Sequence, residues 1–356
     1  MDESDGSPRR PAMTPHLPVD AQVSYLLVFP TDATQLPQPP ERIERLKDPP
    51  YFEAVDVDIR TIAHHVVDVG GSAVALRHQI YDGLIEVAEG TFTLPDALSL
   101  DALQVKAQVQ AALRARLTAR SPGGDSQLEE YTVLLVKPID CPPDEFIDQH
   151  GQALARFIRS QREVFGPHEM EDILTSRVRY SDQELTLVDW EGAVVIAPSG
   201  DFQSDIELLK IGNYQLLRYR LLDQAIERNL KVVSQHLAEG RRPPLIPNRS
   251  KRVLQEALEQ RLALMLDFEK TDQSLLLIGD WYTAKLYQLI YDEFYLDEWK
   301  AVIKNKLESL ESITQIIQDN FTFSWSRFLE LMQIAGWLLL LIGYFVLFFL
   351  DLRAYQ

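Results

Sequence analysis

The sequence predicts an α+β cytoplasmic domain, followed by a long-helix stalk and one C-terminal transmembrane helix. Three observations predict it. Residues 331–350 carry no charge and are dense in Leu, Phe, Ile and Trp on every face. About twenty residues at a rise of about 1.5 Å cover the roughly 30 Å of bilayer hydrocarbon. Up to about residue 200, strand-like apolar runs are interspersed with two amphipathic helices; beyond Gly200 the strand patterns vanish and the apolar period becomes 3.6.

The boundaries that follow are a disordered leader over 1–20, an α+β domain over 21–200, a helical bundle or stalk over 201–320, the transmembrane helix over 331–350 and a short tail over 351–356. The leader is polar and rich in Pro, with no apolar run suited to a signal peptide. It therefore places the large N-terminal part on the cytoplasmic side, anchored by a single pass at the C-terminus. Arg327 precedes the span and Arg353 follows it, so the positive-inside rule favours neither orientation. Cys141 is the lone cysteine and excludes an internal disulfide.

The first strand is VSYLLVFP, residues 23–30, a continuous apolar run suited to burial on both faces. Pro-rich sequence follows to Pro50. Residues 51–59 alternate Val55, Val57 and Ile59 against Asp56 and Asp58, which predicts a half-exposed strand. Gly70-Gly71 predicts a hairpin turn, with returning strand over 72–94. Helical spacing of Leu98, Leu103, Val105, Val109, Leu113 and Leu117 predicts a helix over 96–120, and Phe146, Ile147, Leu154, Phe157 and Ile158 predict another over 143–165. EYTVLLVKP between them is a strand. SRVRYSD and ELTLVDWEGAVVIAP supply a β pair, with 192–198 central in a mostly antiparallel sheet.

The helical half opens with a helix of eight to nine turns from about Asp201, broken by GRRPPLIPN at 240–248. Further helices are predicted over 249–277, 281–294 and 296–320. In the last, Ile303, Leu307, Leu310, Ile313 and Ile317 are spaced as in a short coiled-coil seam. FTFSWSRFLE then bridges into the span. Gly336 and Gly343 lie on nearly one face there and would admit a neighbouring helix closely.

A net charge of −18 excludes phosphate-backbone binding over the general surface and favours cations or basic partners. The sequence contains no G-x-G-x-x-G, no phosphate-binding G-x-x-x-x-G-K-[ST], no C-x-x-C, no H-E-x-x-H and no G-x-S-x-G. Gly70-Gly71 and Gly123-Gly124 are its only Gly pairs. His64 and His65, adjacent in a strand, point to opposite faces and cannot hold one ion together. His78, His150, His168 and His236 are scattered among different elements, and Cys141 has no base near it in sequence. Asp292-Glu293 and Asp297-Glu298 flank a helix turn as a solvated acidic face, and Trp281, Tyr282, Tyr287, Tyr291, Phe294, Tyr295 and Trp299 read as helix-packing core. No catalytic, cofactor-binding or metal-ligating residue is therefore assigned, and no cofactor. The expected partners are the lipid bilayer and further copies of the chain, with no nucleic acid.

The stretch IGDWYTAKLYQLIYDEFYLDEWKAVIKNKLESLESITQII, residues 278–317, with the hydrophobic end behind it, resembles the RMD1/DUF155 family of membrane-anchored proteins. In that family an α/β region precedes an aromatic, acidic turn and a late coiled-coil helix. The order of parts is also similar to that of CorA magnesium channels, although this chain has one span and no Gly-Met-Asn. The resemblance implies architecture. The residues themselves predict a self-associating, non-enzymatic scaffold or anchor. A divergent CorA-like cation transporter subunit and a membrane-tethered enzyme with its site in 21–200 are the alternative readings.

Overall fold

In a computed structural model the protein is described over residues 19–31, 53–54, 57–118, 127–137, 139–239, 259, 261–269, 277–278 and 281–354. It divides into two compact units, one of residues 1–218 with 273–297 and one of 219–272 with 298–356. The sheet-bearing unit thus runs past Gly200, because the first half of the long helix is buried against the sheet.

Eight strands form one sheet, in the order β3-β4-β5-β1-β6-β9-β8-β7. They are β1 (Ala21–Pro30), β3 (Ile59–Val69), β4 (Ser72–Tyr81), β5 (Ile85–Leu94), β6 (Glu129–Val136), β7 (Arg177–Arg179), β8 (Leu185–Val188) and β9 (Gly192–Ile196). All neighbours are antiparallel except β6 and β9, which run parallel from Thr132↔Gly192. The central strands β1, β6 and β9 are the continuous apolar runs, as covering both faces of a sheet requires. A two-residue strand β2 (Glu53–Ala54) pairs with β10 (Leu277–Ile278).

One face of the sheet carries α1 (Leu100–Thr118) and α2 (Pro143–Arg159), with α3 (Pro167–Thr175) packed on α2. Their core joins Val23, Tyr25 and Leu27 to Leu103, Val109 and Leu113 of α1 and to Leu154 and Phe157 of α2. The other face carries the first half of α4 (Gln203–Glu239) and α6 (Trp281–Glu293). Gly212 lets these two helices meet. A Cβ built there would lie 2.4 Å from Ile290 Cγ2 and 3.1 Å from the Phe294 ring.

In the second unit, the last turns of α4, a helix α5 over 261–269 and α7 (Leu296–Ala354) form a small cluster. Leu310 is buried there, with Leu230, Leu264 and Ile313 against it. Lys306 bridges Asp223 at 2.6 Å and Glu227 at 2.7 Å. Leu310 and Ile313 of the expected coiled-coil seam are thus packed within the chain. α7 runs unbroken for 59 residues, so the predicted bridge between stalk and span is itself helix.

The remaining differences are local. Residues 72–94 are a hairpin rather than one strand, turning at Asp82-Gly83, both at positive φ. Asp-Gly is a strong turn signal in sequence. The predicted helix over 143–165 ends at Arg159, where Ser160 takes the left-handed conformation, and α3 begins afresh at Pro167. The helix expected to reach 277 gives way to strand at Leu277, which carries an apolar run that suits either structure. Of the strand expected over 51–59, Glu53–Ala54 form β2, residues 57–58 are in no strand and Ile59 opens β3. Its other residues, the leader up to residue 18 and the Pro-rich break at 240–248 lie outside the described residues.

Candidate functional site

The feature that stands apart from the packed core is the end of α7. Leu329–Leu347 is 19 residues long and none of it is buried. Leu339 and Leu340 are exposed at 73% and 71%, values that a helix end covered by protein does not show. At about 1.5 Å per residue such a segment reaches across about 29 Å, the thickness of bilayer hydrocarbon. It is one helix long and apolar enough to cross a membrane. A Cβ on Gly336 or Gly343 would meet nothing within 4 Å, so this face has no covering element among the described residues.

The second feature is a cleft of about 200 Å³ in the sheet unit. It exists because β9 begins only opposite Thr132, so Glu129–Tyr131 of β6 have β1 on one side and no strand on the other. Gly192 fixes that start, since a Cβ there would lie 2.7 Å from the Thr132 carbonyl oxygen. The notch is walled by Gln110, Glu130, Ser160, Trp190, Glu191 and Asn213, among others.

Its charges are internally matched. Glu130 accepts hydrogen bonds from Tyr25 and Arg114, and Arg159 bonds Asp189 at 2.8 Å and Glu191 at 3.2 Å. Lys106, almost wholly buried, donates to the Phe157 carbonyl and, at 2.9 Å, to Ser160 Oγ. It thereby closes the C-terminal end of α2, where carbonyls otherwise go unmet. Burial pulls the Lys106 ammonium down to about 7, against the opposing attraction of Glu191. An amine so enclosed caps a helix rather than meeting a substrate.

The third feature is a buried polar layer between sheet and α4. Lys210 reaches Glu89 at 2.7 Å, Glu207 at 2.8 Å and Gln79 at 3.0 Å. Ser24 donates to Glu89, and Tyr214 donates to Asp82 at 2.6 Å. Asp205 receives both Thr186 Oγ1 and Tyr282 OH at 2.6 Å, which ties α4, β8 and α6 together. Burial raises the Asp205 carboxyl and, with the neighbouring Asp205 charge, the Tyr282 phenol.

The sequence candidates are dispersed. His64 and His65 are exposed on β3, and His65 stacks on His78, which bonds Glu86 at 2.7 Å. His150 lies on the Phe146 ring and His168 is exposed on α3, while the side chain of His236 lies outside the described residues. Cys141 is half-buried, and burial raises its thiol. Glu293 bonds Ser176, Asp292 bonds Gln288 and Asp297 bonds Tyr291, each to a separate partner. Among the described residues no three His, Cys, Asp or Glu side chains are grouped to hold a metal ion. Of the aromatic series, Phe294 is buried against Tyr131 and Trp190 and Tyr287 donates to Gln215 at 2.8 Å, whereas Trp281 and Tyr295 are exposed, so the series is core only in part. Lys210, Glu89 and Lys106 were unmarked by any motif. Their only trace in sequence is a charged residue inside an otherwise apolar run.

The family-model match lies in the sheet unit. The family model described as "Uncharacterized protein MJ0711, N-terminal domain" matches residues 34–203. The chain is similar to that domain. Uncharacterized protein MJ0711 of Methanocaldococcus jannaschii is 24% identical over 206 residues, covering 58% of this chain and 62% of that protein, so the match spans less than two thirds of the relative's length. No solved structure matches the chain. The likeness is thus to this family and not specifically to the DUF155 or CorA families, and the family match falls on the head rather than on the helical end from which those were inferred.

Proposed function

We propose that this protein is a single-pass, C-terminally anchored membrane protein whose α+β head faces the cytoplasm, and that it self-associates as a scaffold or anchor. The observation that carries the reading is the 19-residue apolar end of α7 with none of its side chains buried. Transferring that much apolar surface out of water at about 25 cal/mol per Å² is a large driving force for insertion. The polar groups of the head support a structural role for it, since buried Lys210 is engaged with Glu89 and Glu207, and buried Lys106 with the Phe157 carbonyl and Ser160. The exposed face with Gly336 and Gly343 offers a second copy of the helix a close approach.

The test is alkaline extraction of membranes from cells expressing the full chain. The chain stays with the bilayer, whereas a variant ending before Leu329 is released as soluble protein. Release of the full chain would overturn the anchor. Light scattering of the detergent-solubilised chain, corrected for bound detergent, tests self-association and gives at least a dimer. Protease protection of sealed vesicles tests the orientation of the head.

A further inference from the structure

β3 is an outer strand of the eight-stranded sheet, and among the described residues nothing pairs with its outer edge. It is 11 residues long, against three for β7 at the opposite side. Long outer strands offer a row of unmet N–H and C=O groups, which proteins that must stay apart blunt with Lys, Pro or bulges. IRTIAHHVVDV contains neither Lys nor Pro, and its one irregularity lies between Thr61 and Ala63. Residues 63–69 are left regular.

The turn decides which main-chain groups point outward. Gly70 and Gly71, at φ +60 and +86, make a two-residue hairpin that closes on Val69↔Ser72. In such a hairpin the closing pair exchanges both hydrogen bonds, and every second residue behind it does the same. Val69, Val67 and His65 therefore bond to β4. The main-chain groups of Asp68, Val66 and His64 turn to the free edge. The side chains of these three share one face, and all are exposed, Val66 at 66%.

We propose that two copies of this chain pair through residues 63–69 of β3, antiparallel, about a two-fold axis at Val66. This rests on the self-association reading above and names its surface. The register follows from hydrogen-bonding complementarity. Centring on Val66 sets the His64 imidazole of each copy, a donor, opposite the Asp68 carboxylate of the other, an acceptor, twice. Centring on His64 opposes two histidines, centring on Asp68 opposes two carboxylates, and centring on His65 or Val67 brings no imidazole to a carboxylate. Val66 meets its own copy on the axis, which covers an exposed apolar side chain. Three outward residues on each strand supply about six main-chain hydrogen bonds between the copies.

The test uses the full chain with Cys141→Ser, in membranes and in detergent. Directly opposed hydrogen-bonded residues have Cα atoms about 5.5 Å apart, within disulfide range. Val66→Cys gives a disulfide-linked dimer under mild oxidation, while Val164→Cys, at a site exposed at 73%, forms no disulfide-linked species. Val66→Pro removes only an outward N–H, so the β3–β4 ladder and the far-ultraviolet spectrum persist while the light-scattering mass halves. Cross-linking at Val66 no stronger than at Val164 overturns the proposal. If Val66→Pro keeps the mass of the unmodified chain, self-association stands through another surface and this one falls. If the unmodified chain is itself a monomer, both fall.

Discussion

Lys210 Nζ lies 2.7 Å from Glu89 Oε2, with the ammonium wholly out of solvent and Glu207 at 2.8 Å on its other side. The pair fastens α4 to β5 across the sheet face. Burial alone pushes the Glu89 carboxyl up, but Lys210, Arg77 and the Ser24 hydroxyl outweigh it and hold the group below its ordinary value. Removing one partner of a buried ion pair leaves the others uncompensated and costs about 3–5 kcal/mol. Lys210→Met therefore lowers stability by that amount in chemical denaturation of the detergent-solubilised chain. Adding Glu89→Gln and Glu207→Gln recovers most of the loss. A Lys210→Met change of less than about 1 kcal/mol contradicts the pairing. Because the Glu89 pKa is depressed on folding, its contribution is present above the ordinary glutamate pKa and is lost as pH falls below it.

Asp205 joins three elements by accepting from Thr186 and Tyr282 at 2.6 Å each. Burial raises its carboxyl, and the hydrogen bonds from Thr186 and Tyr282 pull the other way. Asp205→Asn keeps an acceptor oxygen and changes stability by less than about 1 kcal/mol, whereas Asp205→Leu removes the acceptor that both hydroxyls share, leaving them their mutual contact at 3.0 Å, and costs about 1–3 kcal/mol. Thermal midpoints of the two variants decide it. Equal losses would show that the charge, not the acceptor, is what the site uses.

The α+β head, the helical half and the apolar end were legible because each has a repeating signal. Apolar runs marked the central strands β1, β6 and β9, and the 3.6 period marked α1, α2 and α4. Asp82-Gly83 carried the missing hairpin in plain view, but its flanks, IY and LI, continue the apolar pattern and hide the break. The parallel β6–β9 contact and the notch beside it depend on where β9 starts, which is a matter of Gly192 meeting the Thr132 carbonyl. No periodicity encodes that. Lys106, Lys210 and Asp205 sit in helices as ordinary surface-type residues. The partners that bury the two lysines lie far off in the chain, Phe157 of α2 at 51 residues from Lys106 and Gln79 of β4 at 131 residues from Lys210.

Lys106 makes stability depend on pH in the neutral-to-alkaline range. Burial lowers its pKa to about 7 in the folded chain, while the unfolded lysine keeps its ordinary, higher value. Between those two values the unfolded state binds more protons, so stability rises with pH across that window. Lys106→Met removes the group and flattens this rise, at the cost of two hydrogen bonds. The check is the difference between the thermal midpoints of the unmodified chain and the variant, followed from pH 7 to 10. A difference that stays constant over that range contradicts the lowered pKa.

Gly212 sets how closely α6 lies on α4. A side chain there has no free direction, with Ile290 Cγ2 at 2.4 Å and the Phe294 ring at 3.1 Å from a built Cβ. In an exposed helix Gly→Ala gains up to about 1 kcal/mol from backbone entropy. Here the overlap reverses the sign, because overpacking a filled core costs about 1–3 kcal/mol. Gly212→Ala thus destabilises the sheet unit, read as a lower midpoint in denaturation followed by aromatic fluorescence. Ile290→Ala alone also destabilises, since it opens a cavity under α6. The two substitutions together lose less than the sum of their separate losses, because the new methyl occupies space that the shortened side chain vacates. Simple additivity in that double-mutant cycle would mean that α6 is not held against Gly212, and with it the seat of Phe294 on Tyr131 would be lost.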